Sequence, residues 1–118
     1  MIQNKPNYDP GDIIFCPFPF ADKLEDKERT AVVISNSEFN KTAPGLICVK
    51  ITKTKSDHST VIPILGFEKD LCGLDFDSYI YTTLITTVSK SIISGFYGTL
   101  SDARKKDLMK KVRSYLVW

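Results

Sequence analysis

One histidine and three cysteines are the only imidazole and thiolate metal ligands in this 118-residue sequence. Cys16, Cys48, His58 and Cys72 follow one another at intervals of 32, 10 and 14 residues, a spacing that fits no zinc pattern. Neither a glycine-rich phosphate loop nor a Gly-x-Ser-x-Gly elbow is present, so no cofactor is implied and no metal site is expected. An odd number of scattered cysteines, each in or beside an apolar stretch, points to reduced core thiols of a cytoplasmic protein. No apolar run is long enough to span a membrane, and the opening MIQNKPNYDP lacks the apolar segment of a secretory leader. Repeats and linkers are missing too, so a single domain over residues 1–118 is expected.

Basic charge is also scarce where a nucleic-acid coat would need it. Residues 101–118 hold six of the sixteen basic side chains and two of the fourteen acidic ones, so the net charge of +2 resolves into +4 there and −2 over the first hundred residues. Any contact with nucleic acid must therefore rest on a few placed groups, and strong non-specific DNA binding is disfavoured.

What the sequence does hold is 42% hydrophobic residues in short runs divided by turn signals, the pattern of a compact antiparallel β-barrel. Ile13, Ile14 and Phe15 predict a strand that leaves through Pro17 and Pro19, followed by a charged loop from Ala21 to Glu28 and a second strand from Thr30 to Ser35. Asn36 to Gly45 reads as a loop. Leu46 to Thr54 reads as a strand with Ile47, Val49 and Ile51 on one face and Cys48, Lys50, Thr52 and Thr54 on the other. Lys53 to Thr60 breaks it, and a short strand follows at Val61 to Ile64. Gly66 to Gly73 reads as a connection and Ser78 to Thr87 as a long strand, followed by one helical turn over Ser89 to Ile93. Ser101 is placed to cap a C-terminal helix of about four turns, with Leu108, Met109, Val112, Tyr115 and Leu116 at helical spacing. Its other face, Arg104, Lys105, Lys106, Lys110, Lys111 and Arg113, is expected to be solvated.

The segment Gly11–Ser35, GDIIFCPFPFADKLEDKERTAVVIS, resembles the opening hairpin of the MazF/PemK toxin family: a Gly-Asp-hydrophobic strand, a Pro-Phe-Pro-Phe exit, a variable loop, a Lys-x-Arg element and a Val-Ile-Ser strand. Gly98-Thr99-Leu100-Ser101-Asp102 resembles the segment that precedes the family's terminal helix. The resemblance implies a mainly β fold with α, a small SH3-like β-barrel of the MazF/PemK/gyrase-poison type with a C-terminal helix. It further implies the toxin half of a type II toxin–antitoxin pair, a homodimer that cuts single-stranded RNA without a metal and is held by an acidic antitoxin protein.

By that resemblance the catalytic groups are Arg29 and Thr52. Alone, Arg29 is equally an arginine paired with Asp22, Asp26 or Glu28 of its own loop, and Thr52 an ordinary strand threonine. A guanidinium, a very weak acid, is better suited to clamping a phosphate than to moving a proton. Candidate RNA contacts are Phe20, Lys27, Lys50, Lys53, Thr54, Lys55 and His58, with Phe18 expected inside and Phe20 free to stack on a base. His58, six residues after Thr52 in a polar loop, reads mainly as a solvated side chain.

The sequence departs from the family pattern in two places. Thr30 replaces the proline that usually follows the arginine, and Thr83-Leu84-Ile85-Thr86-Thr87 stands where the family commonly carries a carboxylate and a second arginine. Two readings of another class remain. One is inhibition of a protein target such as DNA gyrase, for which the gyrase-poison toxins of the same barrel use a tryptophan near the C-terminus, here Trp118. The other is a decayed barrel kept as a binding module.

Overall fold

The apolar runs of the first strands are continuous because both faces of the sheet are buried. In the computed structural model, which describes residues 5–17 and 28–118, β1 (Asp12–Pro17) and β2 (Glu28–Val33) send alternate residues into two cores. Ile13 and Val32 join one, with Val49, Ile51, Ile80, Leu108 and Val112. Ile14, Ala31 and Val33 join the other, with Tyr8, Leu46, Cys48, Val88 and Ile93.

Four further strands complete one antiparallel sheet: β3 (Gly45–Thr52), β4 (Val61–Ile64), β5 (Ser78–Ser89) and β6 (Gly95–Thr99). Their order is β4-β5-β3-β2-β1-β6, and two irregularities curl the sheet into a half-barrel. On β5, Val49 pairs Ile85 while Lys50 pairs Tyr81, so Thr82, Thr83 and Leu84 are looped out. On β6, Ile13 pairs Gly98 while Ile14 pairs Phe96, leaving Tyr97 as the extra residue.

Among the described residues there are three α-helices, α1 (Ser37–Thr42), α2 (Gly66–Leu71) and α3 (Asp102–Leu116), of which α3 packs on the sheet. The α3 helix starts as its sequence dictates, with the Ser101 side chain accepting from the Arg104 N–H. Leu108 and Val112 are buried, whereas Tyr115 and Leu116 at the end of the stripe are exposed. The Tyr115 hydroxyl lies 2.8 Å from that of Thr82, a buried residue of the β5 bulge. The charged face is less uniformly solvated than its composition indicates. Arg104 makes a two-point pair with Glu68 of α2 (2.6 and 3.1 Å), the Lys105 stem lies against Gly11, and Lys111 Nζ donates to the Ser59 carbonyl at 2.7 Å. No helix among the described residues is long and apolar enough to cross a membrane.

The first five strands and the terminal helix follow the sequence pattern, and the helical turn appears at Lys90–Ile92; β6, Gly95–Thr99 with two glycines, is a strand that the sequence pattern does not announce. Two connections differ. Asn36–Gly45 contains α1, capped by the Asn36 side chain on the Phe39 N–H; buried Asn40 then donates to the carbonyls of Tyr8 and Ser35. Gly66–Gly73 contains α2, whose Phe67 and Leu71 are exposed, so no apolar periodicity announced it. The end of β3 at Thr52 leaves Thr54 outside the strand, while Cys48 is buried in the second core, on the face opposite Val49.

The packing of α3 predicts that Val112→Asp, which puts an unpaired charge in the core, costs about 4 kcal/mol or more. Exposed Lys106→Ala should stay within about 0.5 kcal/mol of the parent. Urea denaturation midpoints distinguish the two outcomes.

Candidate functional site

The ladder between β2 and β3 decides where the site forms. Thr30 pairs Ile51 and Ala31 pairs Lys50, so one further step along the same register sets Arg29 opposite Thr52. At this end of the sheet β1 leaves, β2 enters, β3 stops and β5 begins, and a cavity of about 520 Å³ opens between them. Arg29, Lys50, Thr52, Lys53 and Thr54 all line it. Five of the residues singled out in sequence therefore meet in one place, although they span more than twenty positions of the chain. Arg29 is half-buried, Thr52 and Lys50 likewise, and Lys53 and Thr54 are exposed.

The remaining candidates divide differently. Phe18, Phe20 and Lys27 lie outside the described residues, as do Asp22, Asp26 and the Glu28 side chain. Lys55 and His58 are exposed and do not line the cavity. The His58 Nδ1 accepts from the Thr60 N–H at 3.2 Å and lies 2.9 Å from its hydroxyl, a local turn contact.

The opposite wall comes from residues that carried no motif. Leu74, Asp75, Phe76 and Ser78 enter from the segment between α2 and β5, and Tyr97 from the β6 bulge. That segment is docked backbone to backbone. Gly73 has φ +79°, and a Cβ there would collide with the Tyr97 carbonyl oxygen; a Cβ on Gly98 would strike the Cys72 carbonyl. Ser78 Oγ donates to the Phe76 carbonyl at 2.7 Å and the Gly66 N–H to the Asp77 carboxylate at 2.8 Å. Tyr97 in turn meets Phe15 edge to face, ring centroids 5.8 Å apart. On the β3 side, Tyr81 donates its hydroxyl to the Thr54 carbonyl at 2.8 Å.

Electrostatically, the described lining carries three cations, Arg29, Lys50 and Lys53, and one carboxylate, Asp75. Lys53 Nζ stands 4.5 Å from the centre of the Phe76 ring. The cysteines play no part: all three are buried without a disulfide, and burial pushes the Cys48 and Cys72 thiols up, away from the reactive thiolate. Among the described residues no group of three His, Cys, Asp or Glu side chains is arranged to hold a metal. Residues 83–87 do not line the cavity either. Such a cleft suits an extended polyanion held by a few fixed charges.

Residues 9–116 match the family described as the PemK-like, MazF-like toxin of type II toxin-antitoxin systems. A search of curated protein sequences found no match. Solved structures are similar over nearly the whole chain. An endoribonuclease from a Mycobacterial species, in complex with its cognate antitoxin, aligns at TM-score 0.76 and 16% identity, covering 92% of this chain and 94% of that one. MazF from Deinococcus radiodurans aligns at TM-score 0.77 and 14% identity, covering 97% and 100%. The Mycobacterium tuberculosis toxin MazF-mt6 aligns at 0.73 and 15%, covering 89% and 95%. At these identities the likeness concerns the fold.

Proposed function

The chain belongs to the PemK-like, MazF-like toxins of type II toxin-antitoxin systems, and from that premise we propose that it is a metal-independent endoribonuclease of single-stranded RNA. The observation that carries this reading is the convergence of Arg29 and Thr52 on one cleft with Lys50 and Lys53. In the reaction the 2′-oxygen attacks the adjacent phosphorus in line and the bond to the 5′-oxygen breaks. The products are a 2′,3′-cyclic phosphate and a 5′-hydroxyl. The Arg29 guanidinium stabilises the non-bridging oxygens as they gain charge, while Thr52 adds a neutral hydrogen bond. Asp75, the carboxylate of the described lining, accepts the 2′-hydroxyl proton, and the departing 5′-oxygen takes one from water. His58 has no role in this scheme.

A cytoplasmic homodimer restrained by an acidic antitoxin completes the proposal. An acidic, partly disordered segment lying over the Arg29 surface would neutralise the same cations that hold RNA. The antitoxin complex of the Mycobacterial endoribonuclease, a similar fold, supports such a partner.

Purified protein should cleave single-stranded RNA in EDTA. Loss of cleavage on chelation with recovery on adding a divalent ion would reject the mechanism, and inhibition of DNA gyrase with RNA left intact would favour a protein target, reached through the fully exposed Trp118.

Within the cleft, Arg29→Ala should lower kcat/KM about a hundredfold or more while circular dichroism shows the fold intact. Thr52→Ala should do less, because the charge remains, and Asp75→Asn should depress kcat with KM little changed. His58→Gln should match the parent, and the rate should show no step near pH ~6.5. A folded, fully active Arg29→Ala protein or a dead His58→Gln protein would overturn the assignment.

A further inference from the structure

Phe76 is a large aromatic ring left 59% exposed at the edge of the cleft. Exposure of this kind usually accompanies a mobile loop, yet here the chain just after the ring is tied down, by Ser78 Oγ on the Phe76 carbonyl and by the Gly66 N–H on the Asp77 carboxylate. The segment is further locked by the close approach of Gly73 to Tyr97. A ring that is rigidly placed and still offered to solvent is preorganised for a flat apolar partner. The Lys53 ammonium lies over the ring, 4.5 Å from its centre, and Phe76, Lys53, Arg29 and Thr52 all line the same cavity.

Resting on the endoribonuclease reading, we propose that Phe76 is the stacking platform for a base next to the scissile phosphate, with Lys53 holding that nucleotide's phosphate. An aromatic ring with an ammonium over one of its faces joins the two chemistries a nucleotide needs, a π-surface for its base and a cation for its anionic backbone. Stacking of this type accepts every base, so Phe76 contributes grip and position along the strand more than sequence choice. Among the described residues no cation is placed over the exposed Phe67 ring of α2, and neither Phe67 nor exposed Leu71 lines the cavity. For that reason a nucleotide, rather than a protein surface, is the occupant at Phe76.

The test uses the full chain and a short single-stranded RNA that it cleaves at one site. On the intact RNA, Phe76→Ala should raise KM about tenfold with kcat within about twofold, and Phe76→Trp should restore KM. The nucleotides flanking the cut are then made abasic one at a time. For one of them, wild type and Phe76→Ala should show the same KM, because the partner of the ring is gone. An unchanged KM for Phe76→Ala, or a penalty that persists with both abasic RNAs, would overturn the stacking role while leaving the nuclease intact. Loss of self-association in Phe76→Ala with unchanged KM would identify the ring as a protein contact and also overturn it. If the wild-type protein neither binds nor cleaves any single-stranded RNA, the nuclease reading falls and this inference falls with it.

Discussion

The register between β2 and β3 is the constraint on which the rest depends. Thr30 opposite Ile51 sets Arg29 level with Thr52 and keeps Lys50 on the neighbouring step. A slip of one residue would carry every side chain of the strand to the opposite face. Here that slip is opposed from both sides of the sheet, because Val32 and Ala31 bury into separate cores and β3 does the same through Val49 and Cys48. The packing that stabilises the half-barrel and the alignment of the candidate catalytic pair are thus one set of contacts.

The second support of the site is the approach of the segment after α2 to β6. Two glycines, Gly73 and Gly98, let the backbones meet where any Cβ would collide. The β6 bulge turns Tyr97 toward the same cavity. Arg104 on Glu68 ties α2 to α3, so the helix that fills the core also steadies the wall that carries Asp75 and Phe76.

How much of this was legible in the sequence depended on whether a residue's role repeats along the chain. Strands with apolar runs and α3, with Ser101 ahead of a periodic stripe, were readable because burial imposes a period. The six-residue helices α1 and α2 were not: the first is held by buried Asn40, a polar residue, and the second exposes Phe67 and Leu71. At the site, Arg29, Lys50 and Thr52 lie on two strands that pair, with Lys53 and Thr54 just beyond the end of β3, and reading them needed little beyond the resemblance to a family. Asp75 and Phe76 reach the cleft through a long-range contact with β6. Their one local trace is Gly73, whose need for a positive φ becomes visible only when Tyr97 is in place. His58 and Lys55 were drawn in by proximity in sequence, and the chain turns away from the cleft before reaching them.

A double-mutant cycle on Arg29→Ala and Thr52→Ala, read as kcat/KM on one RNA, tests the central claim that the β2–β3 register puts both groups on the same phosphate. Groups that act as a unit are not additive. The double variant should therefore be no more than about threefold worse than Arg29→Ala alone. Penalties that multiply in full would mean that the two side chains serve separate events, and the register would then not be what builds the site.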